Sequence, residues 1–321
     1  MKILLTGATG FVGRAFLDVL MSRSYELVVF VRDKGVSLPS DVKKVVADLS
    51  NLSHLNSSDF ANMDVMVHIA ARVHVMNDKV SNPLLAFRKV NRDATLLLAG
   101  MAAEAGVKRF VFVSSIKVNG EMTNPGQPFS PDDDFVPTDP YGLSKYEAEQ
   151  GLLKIANETG LEVVIIRPPL VYGPGVKANF ASMMNWMSKS IPLPFGTVHN
   201  QRSLVALDNL VDFIALCADR EKSPKAANEV FLISDGEDVS TTQLLKKVAK
   251  AFNKKAILLP IPVGLMTFMA KLLGKGDVAN RLFGSLQVDS SKARDLLGWK
   301  PVTTMDEQLN KTAQAYISEK K

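Results

Sequence analysis

Tyr141 and Lys145 stand four residues apart and could form an acid/base pair. On a helix, this spacing places both side chains on one face, one turn apart. A free tyrosine titrates near pH ~10 and is a poor base at neutral pH. Because a nearby ammonium favours the phenolate, we expect Lys145 to lower the pKa of Tyr141. Such pairs also occur by chance on helix surfaces, so the hypothesis depends on further motifs.

A glycine-rich segment at residues 7–13 could bind phosphate. Gly7, Gly10 and Gly13 follow a predicted first strand and precede a predicted helix. Glycines allow a tight turn and close approach to a pyrophosphate, and the helix N-terminus offers free N–H groups. The spacing G-x-x-G-x-x-G is one residue longer than the commoner dinucleotide fingerprint. Its position favours a nucleotide site over an empty turn.

The end of the second predicted strand bears on cofactor choice. NAD sites usually place a carboxylate here, whereas an arginine accommodates the 2′-phosphate of NADP. Arg32 follows Val31 here, so the sequence favours NADP(H); Asp33 next to it keeps NAD(H) open. Asp48 and Leu49, after the third predicted strand, are expected to border the adenine, although a solvated acid is an alternative for Asp48.

Short apolar runs alternate with helical patterns from the first residues onward. Strands are predicted at 3–6, 27–31, 45–47, 65–69, 111–114 and 163–167. Helices are predicted at 12–22, 84–106 and 144–159. Continuous apolar strands that alternate with helices are typical of a parallel sheet covered on both faces. The predicted fold class is α/β, a Rossmann-type doubly wound parallel sheet with a smaller C-terminal α/β substrate-binding region.

The pattern loosens after Pro168, where Pro and Gly become frequent. We expect residues 1–168, with roughly 203–236, to form the dinucleotide-binding domain. Residues 169–202 and 237–321 would form the substrate-binding region. The apolar segment 257–274 approaches the length of a membrane span. However, Pro260, Pro262 and Gly264 break its first third and Lys271 interrupts the rest, so a buried or interfacial helix is expected instead.

The composition indicates a cytoplasmic protein without nucleic-acid partners. Apolar residues make up 46% and charged residues 22%, which is ordinary for a soluble domain. The net charge of +5 is scattered, without the aromatic-studded basic stripe of nucleic-acid binders, and it suits an anionic small molecule. The single cysteine, Cys217, cannot form an internal disulfide, and a strand predicted from Lys2 leaves no room for a signal peptide. We expect no metal site.

Four features occur in a specific order along nearly the whole chain. They are the three glycines, the segment 68–71 (His-Ile-Ala-Ala), Ser114 with Ser115, and the pair Tyr141 and Lys145. This combination resembles the extended short-chain dehydrogenase/reductase family, whose members mostly act on nucleotide sugars. The resemblance implies that Tyr141 is the general acid/base, that Lys145 lowers its pKa and holds the nicotinamide ribose, and that Ser115 hydrogen-bonds the reacting oxygen.

The same resemblance implies a cofactor site built from the glycine loop, the strand ends and two helices. The implied cofactor-binding residues are Gly7, Thr9, Gly10, Phe11, Val12, Gly13, Arg32, Asp48, Leu49, Ala70, Ala71, Asn91, Ser114, Tyr141, Lys145 and Pro168. Asn91 matches a structural asparagine in the helix that faces the cofactor. Ala70 and Ala71 would let the cofactor pass closely.

The resemblance also implies a nucleotide-sugar substrate linked to UDP or TDP. Arg202 and Asp208 match an "arginine, five residues, aspartate" segment whose arginine grips the diphosphate. The spacing around Arg281 departs from that of the epimerases. A homodimer built by the helices at 84–106 and 144–159 is expected. The implied substrate-binding residues are Ser115, Lys117, Asn179, Arg202 and Arg281.

Two features of the sequence, residues 114–116 and Arg32, reduce the number of reactions expected within the family. The 4,6-dehydratases carry Thr-Asp-Glu where this chain has Ser114, Ser115 and Ile116, so a dehydratase is not expected. Reductases exchange cofactor at every turnover and often use NADPH, which Arg32 favours. We therefore place a reductase of UDP-4-keto-6-deoxy-N-acetylhexosamines, in surface-polysaccharide synthesis, slightly ahead of a UDP-glucose or UDP-N-acetylglucosamine 4-epimerase.

Two alternatives lie outside nucleotide-sugar chemistry. One is an NADPH-dependent reductase of a non-sugar ketone, against which the segment from Arg202 to Asp208 and the segment 194–196 argue. The other is a catalytically silent NADP-binding regulator. The intact set of Ser115, Tyr141 and Lys145 argues against silence.

Overall fold

A computed structural model describes residues 1–23, 25–73, 82–124, 126–274 and 276–320, with the backbone alone at 277, 278 and 281. Within these ranges, seven parallel strands form a central sheet and three further strands form a small second sheet. The strands are β1 (Lys2–Thr6), β2 (Glu26–Val31), β3 (Lys43–Val46), β4 (Val65–His68), β5 (Arg109–Val113), β6 (Glu162–Arg167), β7 (Leu170–Tyr172), β8 (Arg202–Ala206), β9 (Glu229–Leu232) and β10 (Asp238–Val239).

Helices cover both faces of the large sheet and build most of the C-terminal region. They are α1 (Phe11–Ser22), α2 (Pro83–Phe87), α3 (Ala94–Glu104), α4 (Pro140–Thr159), α5 (Ala178–Ser188), α6 (Leu207–Ala218), α7 (Thr241–Ala251), α8 (Val263–Leu272), α9 (Gly276–Phe283), α10 (Ser291–Leu297) and α11 (Met305–Ser318). A π-helical segment, Arg88–Asp93, joins α2 to α3.

The strand order of the large sheet is β3-β2-β1-β4-β5-β6-β9. The chain leaves β1 toward one edge and returns at β4 toward the other, so the order reverses between β1 and β4. In open parallel sheets, ligands bind at the carboxyl ends of the strands beside this reversal. Gly7 directly follows β1 and Ala70 lies two residues beyond β4, so both border this crevice. The predicted doubly wound α/β fold is confirmed.

Two separate apolar cores lie on the two faces of the sheet. Phe16 of α1 and Phe213 of α6 are fully buried on one face, whereas Leu98 of α3 and Leu152 of α4 are fully buried on the other. Burying such a side chain stabilises a fold by about 1.5–3 kcal/mol. The strands that separate these cores are therefore apolar on both faces, which explains their continuous Val/Ile runs.

The C-terminal region has its own core beneath the small sheet. In the order β10-β8-β7, β7 and β8 are parallel and β10 is antiparallel. Tyr172, Phe180 and Leu309 are buried between this sheet and α5, α7 and α11. α6 packs against α1, and β9 extends the large sheet. The expected domain division stays a prediction.

Several element boundaries differ from the predicted ones. The long helix expected at 84–106 is interrupted by the π-helical segment and ends at Glu104. α4 begins at Pro140 rather than at Ser144, because Asp139 caps it by accepting a hydrogen bond from the Gly142 N–H (3.1 Å). Proline fits the first helical position, where its missing N–H has no intrahelical partner.

The apolar segment near the C-terminus forms α8 after Pro262. None of the residues of this helix is buried, so the buried alternative is wrong and the interfacial one stays a prediction. In the described part of the chain, no helix is both long enough and apolar enough to cross a membrane.

Candidate active site

The turn between β1 and α1 requires glycine at two positions. Gly7 has a φ of +81°, and a Cβ there would lie 2.7 Å from the Ala70 nitrogen. A Cβ at Gly13 would lie only 2.0 Å from the Gly7 oxygen. The Gly10 N–H closes the turn by donating to the same oxygen (2.9 Å). Gly7 and Gly13 thus let the loop pack tightly against the end of β4.

The N-terminus of α1 is open to an anion. Gly10 caps the helix without any side-chain hydrogen bond, so the first-turn N–H groups receive no side-chain acceptor there. The helix dipole adds a partial positive charge at the same end. Thr9, Gly10 and Phe11 line a cavity of about 620 Å³ that extends to Lys177. This geometry fits a dinucleotide pyrophosphate.

Ser114 offers a second position where a cofactor fits. It directly follows β5, and its N–H donates to the Ile166 oxygen (2.7 Å). Its hydroxyl is buried and has no hydrogen-bond partner among the described residues. Because a buried polar group without a partner is costly, a ligand group at this strand end would satisfy it. The buried Pro168 lies beside it, accepting from the Ile116 N–H (3.0 Å).

The structure brings Ser115 and Tyr141 together. Tyr141 is the second residue of α4, and the Ser115 hydroxyl lies close enough to its phenol to lower the phenol's pKa. Ser115 also caps the short turn that follows β5, accepting from the Lys117 N–H (3.3 Å). The Tyr141 ring packs edge-on against Phe87 (5.9 Å between centroids). This pair can present two hydroxyl groups to one reacting oxygen.

Lys145 lies one turn along α4 and is almost fully buried (1% exposed). Its ammonium donates to the Val113 oxygen (2.8 Å) and sits 4.0 Å from the centre of the Phe112 ring. Burial lowers the pKa of Lys145 to about 7, against an opposing effect of the nearby Glu149 carboxylate. Its charge therefore responds to small changes in its surroundings near neutral pH.

The expected lowering of the Tyr141 pKa is wrong for this structure. Burial raises the pKa of Tyr141 to about 12, only partly opposed by the hydrogen bond from Ser115, and Asp139 raises it further. The reason is geometric: the Lys145 ammonium is directed at the Val113 carbonyl rather than at the phenol. Tyr141 is accordingly a protonated phenol at neutral pH.

Asn91 lies in the π-helical segment and fixes the chain after Ala71. Its side-chain oxygen accepts from the Arg72 N–H (2.8 Å), and its amide donates to the Arg72 oxygen and the Ser144 hydroxyl (both 3.0 Å). π-Helical turns often mark functional sites. This arrangement suits the structural role that the resemblance implied for Asn91, whereas its direct contact with a cofactor stays a prediction.

His68 is a site residue to which the sequence assigned no role. It is fully buried between the hydroxyls of Thr6 (2.7 Å) and Thr95 (3.0 Å) and stacks on Phe112. Burial, with a smaller effect from Lys145, lowers the pKa of His68 to about 3, so the ring is neutral. The sequence feature that could have indicated this buried position is a histidine at the end of an apolar strand.

A buried ion pair beneath the site was also missed. Arg167, at the end of β6, binds the Glu149 carboxylate of α4 (2.6 Å), and both side chains are nearly inaccessible. The same guanidinium donates to the Asn119 oxygen (3.0 Å). The network ties α4 to the turn after β5, and thereby fixes Tyr141 relative to Ser115. An arginine that ends an apolar strand was its only sequence signal.

The adenine end brings together Arg32 and Asp48. Arg32 is exposed directly after β2, and Asp48 lies beyond β3 with Leu49 beside it. Hydrogen bonding to the Ser50 N–H lowers the pKa of Asp48, helped by the charge of Arg32. The Asp33 carboxylate accepts from the Gly35 N–H (2.8 Å) and is thus engaged within its own turn.

The predicted substrate residues are spread over several elements. Lys117 forms an ion pair with Glu121, and Asn179 is exposed in the first turn of α5. Arg202 begins β8 and donates to the Gly284 oxygen (3.1 Å), and burial lowers its pKa. The side chain of Arg281 lies outside the described part of the structure.

One segment holds the loop after Lys117 near β8. The Ser285 oxygen accepts from the Thr123 N–H (2.9 Å), and the Leu286 oxygen accepts from the Ser203 N–H (2.8 Å). Residues 285–286 therefore connect the neighbourhood of Ser115 to that of Arg202.

Comparisons with known proteins identify the family of this chain. Residues 3–233 match the model of the NAD dependent epimerase/dehydratase family. A UDP-glucose 4-epimerase of Vibrio cholerae is 49% identical over 98% of this chain and 95% of its own length. A dTDP-4-dehydro-6-deoxyglucose reductase of Escherichia coli is 25% identical over 96% of this chain and 95% of its own length.

A solved structure shows the same fold. The UDP-glucuronic acid 4-epimerase of Bacillus cereus in complex with NAD superposes with a TM-score of 0.78 at 22% identity, covering all of both chains. The family match spans well over half of the chain and includes the glycine loop, Ser115, Tyr141 and Lys145. This protein therefore belongs to the NAD-dependent epimerase/dehydratase family of extended short-chain dehydrogenases/reductases, the nucleotide-sugar enzymes.

Proposed function

We propose that this protein is a UDP-hexose 4-epimerase that retains NAD(H), with UDP-glucose as the first substrate to test. The observation that carries the proposal is the 49% identity to a UDP-glucose 4-epimerase over 98% of the chain. The open helix N-terminus at Gly10 and the unpartnered Ser114 hydroxyl support a dinucleotide at the crevice beside them. Thr9, Gly10 and the N–H groups of Phe11 and Val12 would hold its pyrophosphate.

The acid/base step would take place at Tyr141. When bound, a nicotinamide supplies a hydride acceptor and donor for the sugar C4. Tyr141 would take the proton of the C4 hydroxyl while C4 is oxidised to a ketone. It would return the proton to the C4 oxygen after the 4-keto sugar has rotated to present its other face. Ser115 would hydrogen-bond the same oxygen. The Lys145 ammonium, which here bonds the Val113 oxygen, would lower the pKa of Tyr141 from about 12 only after turning toward the phenol.

The substrate diphosphate would be held near Arg202. A guanidinium binds phosphate by charge-assisted, often bidentate, hydrogen bonds. Burial around Arg202 strengthens such a contact because the surroundings screen charge less than water does. Lys117 and Asn179 are proposed as further contacts on either side.

A second candidate is a 4-keto-sugar reductase that uses NADPH. Arg32 favours it, because an exposed arginine after β2 can bind a 2′-phosphate while Asp33 is engaged in its own turn. Protonated Tyr141 is also suited to donate a proton to a 4-keto oxygen. The Escherichia coli dTDP-4-dehydro-6-deoxyglucose reductase is a relative with this type of activity.

One pair of measurements tests the proposal. Cofactor is released from freshly purified protein by denaturation and identified by mass. UDP-glucose is then incubated with the protein without added cofactor, and UDP-galactose is measured by chromatography. Stoichiometric NAD with conversion supports the epimerase. Empty sites that fill with NADPH, together with reduction of a 4-keto sugar nucleotide, support the reductase.

The same experiment separates the other classes. Protein that binds neither UDP nor TDP but reduces small ketones would place the activity outside nucleotide sugars. Protein that binds cofactor but converts no member of a full substrate panel would be a silent regulator. A Tyr141→Phe variant serves as the control for contaminating epimerase activity.

We also propose a homodimer built by α3 and α4. Leu97 of α3 is 45% exposed, which leaves an apolar side chain on the outer face of this layer. Sedimentation of the purified protein measures the mass directly. A monomer at micromolar concentration would contradict this assembly.

A further inference from the structure

An apolar stripe covers the outward face of α8. It consists of Leu265, Phe268, Met269, Leu272 and Leu273, all between 49% and 70% exposed. Their spacing follows positions i, i+3, i+4, i+7 and i+8, so they form one continuous ridge along the helix. A single exposed leucine is ordinary, whereas five in register form a contiguous surface.

The ridge borders an apolar groove. Leu265, Met269 and Leu273 of the ridge line a cavity of about 390 Å³, together with Met266, Ala270, Phe195, Leu282 and Phe283. A helix with so wide an apolar surface is normally covered by a core or by a membrane. α8 contains no buried residue, so its outer ridge lacks the cover that its composition requires.

The exposed apolar surface continues onto the strand-like segment before α8. Ile257 and Leu259 are 45% and 48% exposed. In the described part of the chain, seven of the nineteen large apolar residues that are exposed lie between residues 257 and 273. The clustering marks this surface as a contact site rather than a scatter of single side chains.

The sequence that carries this surface is basic. Residues 253–288 contain five basic residues and one acidic residue, so most of the net charge of +5 belongs to this stretch. Lys271 is exposed within α8, and Lys255 is exposed two residues before Ile257. Apolar side chains flanked by lysines are the composition of helices that lie in the interface of an anionic membrane.

A second copy of the chain is a poorer occupant. A two-fold dimer brings the same surface of each subunit together. Here it would place two strongly basic stretches against each other, and like charges in close contact are unfavourable. An anionic bilayer offers both the apolar layer for the ridge and negative headgroups for the lysines.

We propose that α8 docks this protein on the surface of an anionic lipid bilayer. The helix has ten residues, about 15 Å, and lies in the interface rather than across it. The docking surface is separate from Tyr141 and the glycine loop, so it goes beyond the proposed function. Loss of docking and loss of catalysis can be measured independently.

The test is sedimentation of the full-length protein with vesicles. One set of vesicles contains phosphatidylcholine with about 30% of the anionic lipid phosphatidylglycerol. The other set contains phosphatidylcholine alone. We expect binding to the anionic vesicles that weakens at high salt. The variant Phe268→Glu/Leu272→Glu should bind at least about tenfold more weakly, since it removes two apolar side chains from the bilayer and adds two negative charges beside anionic headgroups.

Matched variants separate the apolar and charged contributions. Lys255→Gln should weaken binding to the anionic vesicles about fivefold, the effect of one lysine near such a surface. Val302→Glu is the control, because Val302 is equally exposed (60%) but lies outside the stretch. It should leave binding unchanged.

Three outcomes would overturn the proposal. The first is no sedimentation with anionic vesicles at low salt. The second is equal binding of Val302→Glu and Phe268→Glu/Leu272→Glu. The third is a ridge variant whose assembly in solution has a lower mass than the wild-type assembly, while its binding to vesicles is unchanged. That result would assign the ridge to contact with a second copy of the chain. Circular dichroism of each variant confirms that it is folded.

Discussion

Replacing Lys145 with methionine is expected to stabilise the cofactor-free protein. Lys145 is 1% exposed, and burial lowers its pKa from an ordinary 10.5 to about 7. The charged form is therefore held in the folded protein at a free-energy cost. Methionine has a similar length, carries no charge and packs readily in irregular apolar sites.

The size of the effect follows from two opposing contributions. A tenfold change in a proton equilibrium corresponds to about 1.4 kcal/mol, so a pKa near 7 implies a cost of at most about 5 kcal/mol at neutral pH. Methionine also removes the hydrogen bond to the Val113 oxygen, and an unsatisfied buried carbonyl costs about 1–3 kcal/mol. The expected net gain in the free energy of unfolding is about 2–4 kcal/mol.

The gain should depend on pH in a defined direction. Between pH 7 and 10.5, Lys145 is charged in the unfolded chain and largely neutral in the folded protein, so the unfolded chain binds more protons. Stability of the wild type therefore rises with pH across this window. Below the folded pKa of about 7 the full cost is present. The advantage of Lys145→Met should be largest at pH 7 and below. By pH 10 it should vanish or reverse, because the lost hydrogen bond to the Val113 oxygen remains.

The assay is urea unfolding of both proteins at several values between pH 6.5 and pH 10, followed by circular dichroism. Lys154→Met is the control, because Lys154 lies on the same helix but its side chain is 74% exposed. Surface substitutions of this kind usually change stability by less than about 0.5 kcal/mol. If Lys145→Met is less stable than wild type at pH 7, or if its advantage does not shrink toward pH 10, burial of the Lys145 charge does not destabilise the folded protein.

Three further predictions concern catalysis, cofactor choice and the glycine turn. Tyr141→Phe should reduce turnover at least about a hundredfold, the usual contribution of a general acid/base, while the dissociation constant of the cofactor in fluorescence titration stays within twofold. Arg32→Ala should raise the dissociation constant of NADPH more than that of NADH, and equal effects would remove the case for a 2′-phosphate contact. Gly13→Ala should destabilise the protein strongly, since its Cβ would lie 2.0 Å from the Gly7 oxygen, whereas Gly100→Ala, with open space in α3, should be stabilising by about 0.5–1 kcal/mol in thermal melts.

The sequence predicts the sheet and its ligand edge well because both follow from local patterns. Continuous apolar runs of four to six residues can be buried on both faces only in a covered parallel sheet. The glycine spacing predicts a tight turn after β1. The structure shows why glycine is needed there, since a Cβ at Gly13 would lie 2.0 Å from the Gly7 oxygen. The helical spacing of Tyr141 and Lys145 is likewise confirmed in α4.

The electrostatics of the site could not be read from the sequence, because they depend on direction and burial. Spacing brings Lys145 to the face of Tyr141, yet its ammonium bonds the Val113 carbonyl, which belongs to a strand distant in sequence. The pairing of Glu149 with Arg167 is similarly a contact between α4 and β6. Breaking such a buried pair typically costs about 3–5 kcal/mol, so these unpredicted contacts fix the site.

Tyr141 donates a proton to a 4-keto oxygen in both candidate reactions, and in an epimerisation it must accept a proton first. A protonated phenol with a pKa of about 12 can donate a proton to a 4-keto oxygen, which is the second half of an epimerisation and the whole of a reduction. The acid/base geometry of Ser115 and Tyr141 therefore favours neither reaction. The two differ in whether the oxidised cofactor leaves after the proton has moved, and that depends on how firmly the adenine end is held. Arg32 and Asp48 lie at this end, and neither is among the groups that act on Tyr141. Exchanging Arg32 for a carboxylate should accordingly shift cofactor retention toward NAD without changing the proton chemistry at Tyr141.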